Sequence, residues 1–365
     1  MVVSSRARGY AQAVAGTLAV TPDAVLLRLA ERQGGGLWTT TTLKLGFIGL
    51  FCLFHPLAEG TGAVLNGMRA APKHVFLGAL GQGVINMGYA LAFLTTSVAD
   101  ALMLISLHPL WAALFARIVL REQLPRRTMF ALAVAVGAVL LIFVPQLAGG
   151  DENYGGTAHG NLIAVATGVT LAFTIVVNRH AGLHRPPEAG LGMEAAAGLG
   201  SLACGLVVLP IACSVDASSV EPTNATLANA TLANASAPQP QHACAAFEQL
   251  EPPFWPLVIA DGACIAICTV LSTVFAPRHL FSAEVGLVLL GEQVLSPIWV
   301  YAGVGEAPSR WTIAGGVLLL STLALHEAAA LRDERSEAQR CEAPPAASGN
   351  DSSSTCDAGV EIVKG

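Results

Sequence analysis

Long apolar runs alternate with short polar junctions along most of this chain, and the runs match the thickness of a bilayer. A helix that crosses the hydrocarbon core needs about 20 predominantly apolar residues. By that measure the sequence predicts spans at 74–94, 98–120, 128–145, 161–179, 191–212, 255–275, 281–303 and 311–330. The run LKLGFIGLFCLFHPLA adds a shorter one at 43–58. A further run at 10–30 is interrupted by Asp23 and Arg28; counting it gives ten helices, omitting it gives nine. Arg6 and Arg8 ahead of that run also fit the charged start of a signal peptide. The expected fold is therefore an all-α polytopic membrane protein of about ten transmembrane helices.

Composition narrows the class without naming a function. Hydrophobic residues make up 53% of the 365 residues and charged residues only 12%, about half the charge of an ordinary soluble domain. That excludes a soluble globular enzyme and a disordered chain, and a formal net charge of −6 gives no footprint for nucleic acid. The 37 glycines suit helices whose backbones approach closely.

The placement of the charges predicts orientation. With ten spans and an inner N-terminus, Arg6, Arg8, Arg69, Lys73, Arg121, Arg126, Arg127, Arg185 and Arg278 fall inside. Arg28, Arg32, Lys44 and Arg310 fall in outer loops and the adjoining helix ends. This is the positive-inside bias. The loops 146–160 and 213–253 contain no Lys or Arg and are read as outer. The longer of them carries three glycosylation sequons, at Asn224, Asn229 and Asn234, between Cys213 and Cys244. Sequons need an exposed, lumenal acceptor, and two cysteines in that oxidising compartment are candidates for a disulfide. A solvated low-complexity NATLA expansion is the alternative reading of the same loop. The stretch 331–365, rich in Glu, Ser, Pro and Arg, is expected to be a disordered cytosolic tail. The localisation that follows is an integral multi-pass protein of the plasma membrane or an endomembrane.

Shifting the chain by 184 residues superposes two of its junctions. Asp100 meets Glu284, Glu122 meets Glu306, Arg126 meets Arg310 and Thr128 meets Thr312. The chain is thus read as a first half at 1–145, a second half at 146–330 interrupted by the 213–253 insertion, and the tail. Five helices per half is an odd number, so the halves face opposite ways. Inverted repeats of this kind are typical of secondary transporters, with the solute site near the midplane.

The residues at these junctions resemble a family. The run ALAFLTTSVADALMLISLHPLWAALFARIVLREQLPRRT looks like the first EamA-type repeat of the drug/metabolite transporter superfamily, with Pro109 and Glu122 at its characteristic positions. The run APRHLFSAEVGLVLLGEQVLSPIWVYAGVGEAPSRWTIAGG is similar to the second repeat, with Glu292 and Glu306 at the acidic positions. Where the family often has proline after the first of these acids, this chain has Gln293, and Pro297 follows four residues later; the expected kink is displaced accordingly. TPDAVLLRLA resembles the first helix of some members and favours ten spans. The resemblance covers most of 10–330 and implies a carrier of a small organic solute that uses no cofactor.

Polar residues within the spans are the candidates for chemistry, because a charged group at the bilayer centre costs about 2.5–3.5 kcal/mol on insertion scales. Asp100 and Glu284 sit near helix starts, where acids stabilise the first turn. His108 and Glu292 are expected about eight residues into their helices and correspond under the 184 shift. They are candidates for a proton, a polar solute group or each other, or for an interhelical pair that only locks packing. Gln293, Asn86, Tyr89 and Trp111 are further candidates for a cavity lining, and Asp261 for a buried acid. Asp23 and Arg28 are expected to pair as i, i+5 neighbours or to face the cavity. Gly192, Ala196 and Gly200, with Ala197, Ser201 and Gly205, form small-residue stripes for helix contact. No metal set is expected: His180 and His184 have i, i+4 spacing but lack an acidic third ligand.

The leading functional expectation is a secondary transporter working by alternating access, with lipid and a small molecule as partners and protons as a candidate coupling ion. The competing expectation is a membrane-embedded enzyme using His and Glu side chains, although the chain lacks HExxH, GxSxG and Walker patterns.

Overall fold

The computed structural model describes residues 5–96, 98–121, 126–142, 158–216 and 250–304, with isolated positions at 247 and between 313 and 332. Glu122, Glu306, Arg310, Cys244 and the three sequon asparagines lie outside the described residues, as does the tail beyond Arg332. The described residues are all helical or in short connections, without strands.

The helices are α1 (Ser5–Val20), α2 (Asp23–Arg32), α3 (Leu37–Ala58), α4 (Thr61–Ala70), α5 (Pro72–Thr95), α6 (Val98–Ile105) and α7 (His108–Phe115). They continue with α8 (Arg126–Ile142), α9 (Ala158–His184), α10 (Ala189–Ile211), α11 (Phe254–Cys268), α12 (Ser282–Leu289) and α13 (Glu292–Val304). Wider π-helical turns extend α7 through Ala116–Leu120, α10 through Ala212–Asp216 and α11 through Thr269–Phe275.

Among the described residues, seven stretches are long and apolar enough to cross a membrane: Ser5–Arg32, Leu37–Ala58, Pro72–Thr95, His159–His184, Ala189–Ser214, Phe254–Arg278 and Ser282–Gly303. The uncertain run at 10–30 is thus a candidate span. The expected span at 98–120 is divided into α6 and α7, that at 128–145 falls on the 17-residue α8, and that at 311–330 lies largely outside the described residues.

The distribution of polarity is that of a bundle in lipid. Phe54, Phe76, Phe130, Leu206 and Val207 are exposed, each by 67% or more. Asp23, Lys44, Gln82, Asn86, Glu194, Asp261, Glu284 and Glu292 are buried. Polar groups turn inward because hydrocarbon offers them no hydrogen bonds.

Helix α10 packs on α3, α4 and α5, and its small residues set how closely. A Cβ on Gly200 would stand 1.9 Å from the Ala79 carbonyl oxygen of α5, and one on Gly192 would stand 2.4 Å from the Gly67 backbone of α4. From the second stripe, Gly205 faces α3 at Leu45, and Ser201 accepts a hydrogen bond from α5 at Asn86.

Among the described residues three spans are broken rather than continuous, the first two at a proline. In the first, Pro22 has no N–H to continue the helix, and α2 restarts at Asp23. The turn is closed from outside. Ser296 donates to the Thr21 carbonyl at 2.8 Å, and Trp299 Nε1 donates to Thr21 Oγ1 at 2.8 Å.

In the second, α6 ends at Ile105 and α7 begins at His108. Pro109 deprives the Ile105 carbonyl of its helical donor, and His108 Nδ1 supplies the missing bond at 3.0 Å.

In the third, α12 ends at Leu289 and α13 begins at Glu292, with the break at Leu290–Gly291. This corrects the expectation of a displaced kink, since the break precedes Pro297. Helices α6 and α12 correspond residue for residue under the 184 shift, as do the first residues of α7 and α13. His108 and Glu292 therefore lie not eight residues into continuous helices but at the N-terminal ends of two half-helices.

Candidate functional site

The broken first span and the broken α12–α13 span meet at a buried cavity of about 40 Å³. Val20 and Asp23 line it from the first break, Leu289 and Glu292 from the break between α12 and α13. Between them stand Lys44 of α3, Gln82, Ile85, Asn86 and Tyr89 of α5, and Leu171 of α9. Ile265, Cys268, Thr269 and Thr273 of α11 and its π-helical extension complete the wall. A water needs about 10–15 Å³ measured this way, so the space takes a few waters or the head of a solute. Each half-helix start also brings unsatisfied N–H groups and a positive dipole end, which favour a carboxylate there. Asp23 and Glu292 hold these positions.

Beside Glu292, a charged cluster from three elements stands here, with Asp23 and Lys44 in the cavity wall and Asp261 against Lys44. Lys44 Nζ donates to Asp23 Oδ1, and Asp261 Oδ2 lies 3.3 Å from the same ammonium. All three side chains are at most 1% exposed. Lys44 is thus a core residue, which corrects its placement among the outer loops and adjoining helix ends: it lies within α3, and its long side chain reaches the acids inward instead of snorkelling to the interface. Asp23 pairs with Lys44 rather than with Arg28, which bridges Glu31 at 3.1 Å.

Glu292 is 3% exposed. Its Oε1 has no hydrogen-bond partner among the described residues, and its side chain lines the cavity.

A neutral network supports the opposite wall. Gln82 Nε2 donates to Asn86 Oδ1 at 3.3 Å and to Thr269 Oγ1 at 3.2 Å. Thr273 Oγ1 donates to Gln82 Oε1 at 3.3 Å, and Asn86 Nδ2 donates to Ser201 Oγ at 2.9 Å. Tyr89 stands edge-on to Phe93 with ring centroids 5.6 Å apart.

The other sequence candidates fall elsewhere. His108 is 3% exposed, but it caps Ile105 and is not part of the cavity wall. Gln293 is buried with its Oε1 unpaired, also away from the lining. Trp111 of α7 is 37% exposed and does not line the cavity. Cys213 is disulfide-bonded. Among the described residues no group of three or more His, Cys, Asp or Glu is placed to hold a metal ion. His180 and His184 instead stack at 4.4 Å, and His180 hydrogen-bonds His74 at 2.9 Å.

Sequence reasoning passed over Lys44 and Gln82 as cavity residues, and it gave Glu284 only a role at a helix start. Glu284 is there, accepting from the Phe281 N–H at 3.2 Å. It also receives Arg6 at 2.9 and 3.1 Å, a contact across 278 residues of sequence. A lysine at the second position of the 43–58 apolar run was the available signal for Lys44, since such a charge needs a partner.

These features define a helical membrane protein with a polar centre built from interrupted helices, and relatives agree with that class. Residues 8–144 match the model of the EamA-like transporter family. A curated relative is solute carrier family 35 member G1 of Homo sapiens, 31% identical over 119 residues, which are 30% of this chain and 32% of that protein. The alignment thus spans about a third of the relative's length. One solved crystal structure superposes with a TM-score of 0.57 at 19% identity, over 89% of this chain and 99% of its own. At that identity the likeness shows the fold alone.

Proposed function

We propose that this chain is a secondary transporter that carries a small organic solute across a membrane by alternating access. The observation that carries the reading is the meeting of two broken spans at a buried cavity that holds charged and polar side chains, among them Glu292, whose Oε1 has no hydrogen-bond partner among the described residues. Discontinuous helices with half-helix ends at a central site are the architecture transporters use to bind polar groups within the bilayer. The match to the EamA-like transporter family and the resemblance to a solute carrier support the same class.

In this reading ten helices form two inverted halves, 1–145 and 146–330. The matching breaks before His108 and Glu292 support that symmetry. The solute binds among Glu292, Asn86, Tyr89 and the Asp261–Lys44–Asp23 group, and the helices part to admit it. Glu292 exchanges a proton as access alternates, which couples transport to a proton gradient. His108 holds the break in α6–α7 rather than touching solute. The N-terminus and tail face the cytosol, and the loop with Asn224, Asn229 and Asn234 faces the lumen or cell exterior, closed by Cys213 and Cys244.

Uptake of radiolabelled solutes into proteoliposomes, with and without a proton gradient, tests the proposal. Accumulation that collapses with the gradient and is lost in Glu292→Gln is expected. Turnover of a lipid or peptide with no solute moved overturns the carrier reading in favour of a membrane enzyme.

A further inference from the structure

The cavity contains more acid than base, and its charges are unequally shared. Lys44 serves Asp23 and Asp261 together. Glu292, in the same wall, has an unpaired buried oxygen. Asp23 of α2 and Lys44 of α3 are the other charged residues in that wall. Tyr89 of α5 and Cys268 of α11 line the same cavity.

A buried carboxylate without a partner is expensive, and a hydrogen-bonded cation relieves that cost. The structure shows how such acids gain a counter-charge here: the primary ammonium of Lys44 lies between Asp23 and Asp261, while Asp23 Oδ2 is left, like Glu292 Oε1, without a hydrogen-bond partner among the described residues. The remaining volume of about 40 Å³ is the size of an ammonium head and a water or two. Ile85, Leu171, Ile265 and Leu289 supply an apolar wall beside it, suited to an alkyl chain, and the Tyr89 ring stands in the same wall.

Resting on the carrier reading for its purpose but not for its test, we infer that the cavity binds the primary ammonium group of a small amine-bearing solute. The ammonium donates to Glu292 Oε1 beside the one Lys44 already places on Asp23. Asp23, Asp261 and Glu292 together disfavour a solute whose only charge is negative. The Lys44 chain shows the preferred geometry, a primary ammonium on an unbranched aliphatic stem.

Thermal unfolding of the purified full chain in detergent tests this. n-Butylammonium chloride is compared with sodium chloride and disodium glutarate at matched ionic strength. A saturable rise in unfolding temperature with n-butylammonium alone is expected. Glu292→Gln should weaken that apparent affinity by about tenfold or more, while Phe130→Leu, on the lipid-facing surface, leaves it unchanged.

If Glu292→Gln does not fold, Glu292→Asp retains the charge but withdraws it by one methylene, and is expected to weaken the response. An equal shift with sodium, a larger shift with glutarate, or full affinity in the Glu292 variants overturns the inference. The two readings fail separately. Proteoliposomes that move no solute while the amine response persists refute the carrier alone. An amine-insensitive chain that still transports an anion refutes the amine site alone.

Discussion

Lys44 and Asp261 lie 3.3 Å apart, from helices α3 and α11, and neither side chain is more than 1% exposed. With Asp23 they tie the kinked first span to two other helices through one ammonium. Removing a single member of such a buried group leaves uncompensated charge, which destabilises by about 3–5 kcal/mol. Lys44→Met is expected to lose stability on that scale. Lys44→Met combined with Asp261→Asn removes charge from both sides and should recover part of the loss. Unfolding temperatures of the two variants in one detergent check this, and a double variant less stable than the single one contradicts it.

His108 and Glu292 share a position in two broken helices but do different work. His108 supplies the hydrogen bond that Pro109 withholds from Ile105, whereas Glu292 faces the cavity. Glu292→Gln should therefore depress solute uptake far more than His108→Asn, which retains a side-chain donor near the same carbonyl. Comparing uptake per folded protein for the two variants decides the point, and equal losses would place His108 in the pathway.

Gly200 is required by the approach of α10 to α5. A Cβ there would lie 1.9 Å from the Ala79 carbonyl, so Gly200→Ala must push two helices apart. Overpacking of this kind costs about 1–3 kcal/mol, and the loss is measurable as a lower unfolding temperature. Gly137 has no atom within 4 Å of its added Cβ, so Gly137→Ala is the control expected to be nearly neutral.

Arg6 and Glu284 join the start of the first span to the start of α12 with two hydrogen bonds. Charge-assisted bonds contribute about 1.5–3 kcal/mol, reduced here because Arg6 is 27% exposed. Because the Glu284 side chain is 0% exposed, Arg6→Ala leaves a buried carboxylate short of a partner and should cost about 1–3 kcal/mol. It should also increase hydrogen exchange at the amides of Phe281 and Glu284, which mass spectrometry would detect.

The long loop offers a topology test. Endoglycosidase treatment of protein expressed in a eukaryotic cell should shift its band, and replacing Asn224, Asn229 and Asn234 together with Gln should abolish the shift. A shift that survives the triple replacement would place other residues of the chain in the lumen.

Much of the fold is legible in the sequence because bilayer insertion is a local requirement. Twenty apolar residues make a span wherever they occur, so the spans expected at 43–58, 74–94 and 161–179 fall within the observed Leu37–Ala58, Pro72–Thr95 and His159–His184. The ambiguous first span could not, because Asp23 argues against burial until its partner is known. The breaks were partly encoded. His108-Pro109 and Pro22 announce interruptions, but Gly291 gives no comparable signal.

By itself the sequence determined a helical membrane protein, the approximate positions of its spans, a repeat offset that pairs His108 with Glu292, and Glu292 and Asp261 as buried acids worth examining. Only the tertiary structure decided which polar groups meet. Lys44 meets Asp23 and Asp261 from two other helices, Gln82 joins Asn86 to Thr269 and Thr273, and Trp111 lies outside the cavity lining. The physical reason is that hydropathy fixes the depth of a residue in the membrane from its neighbours along the chain. The side of the helix it presents, and the partner it finds there, depend on how several helices pack at once.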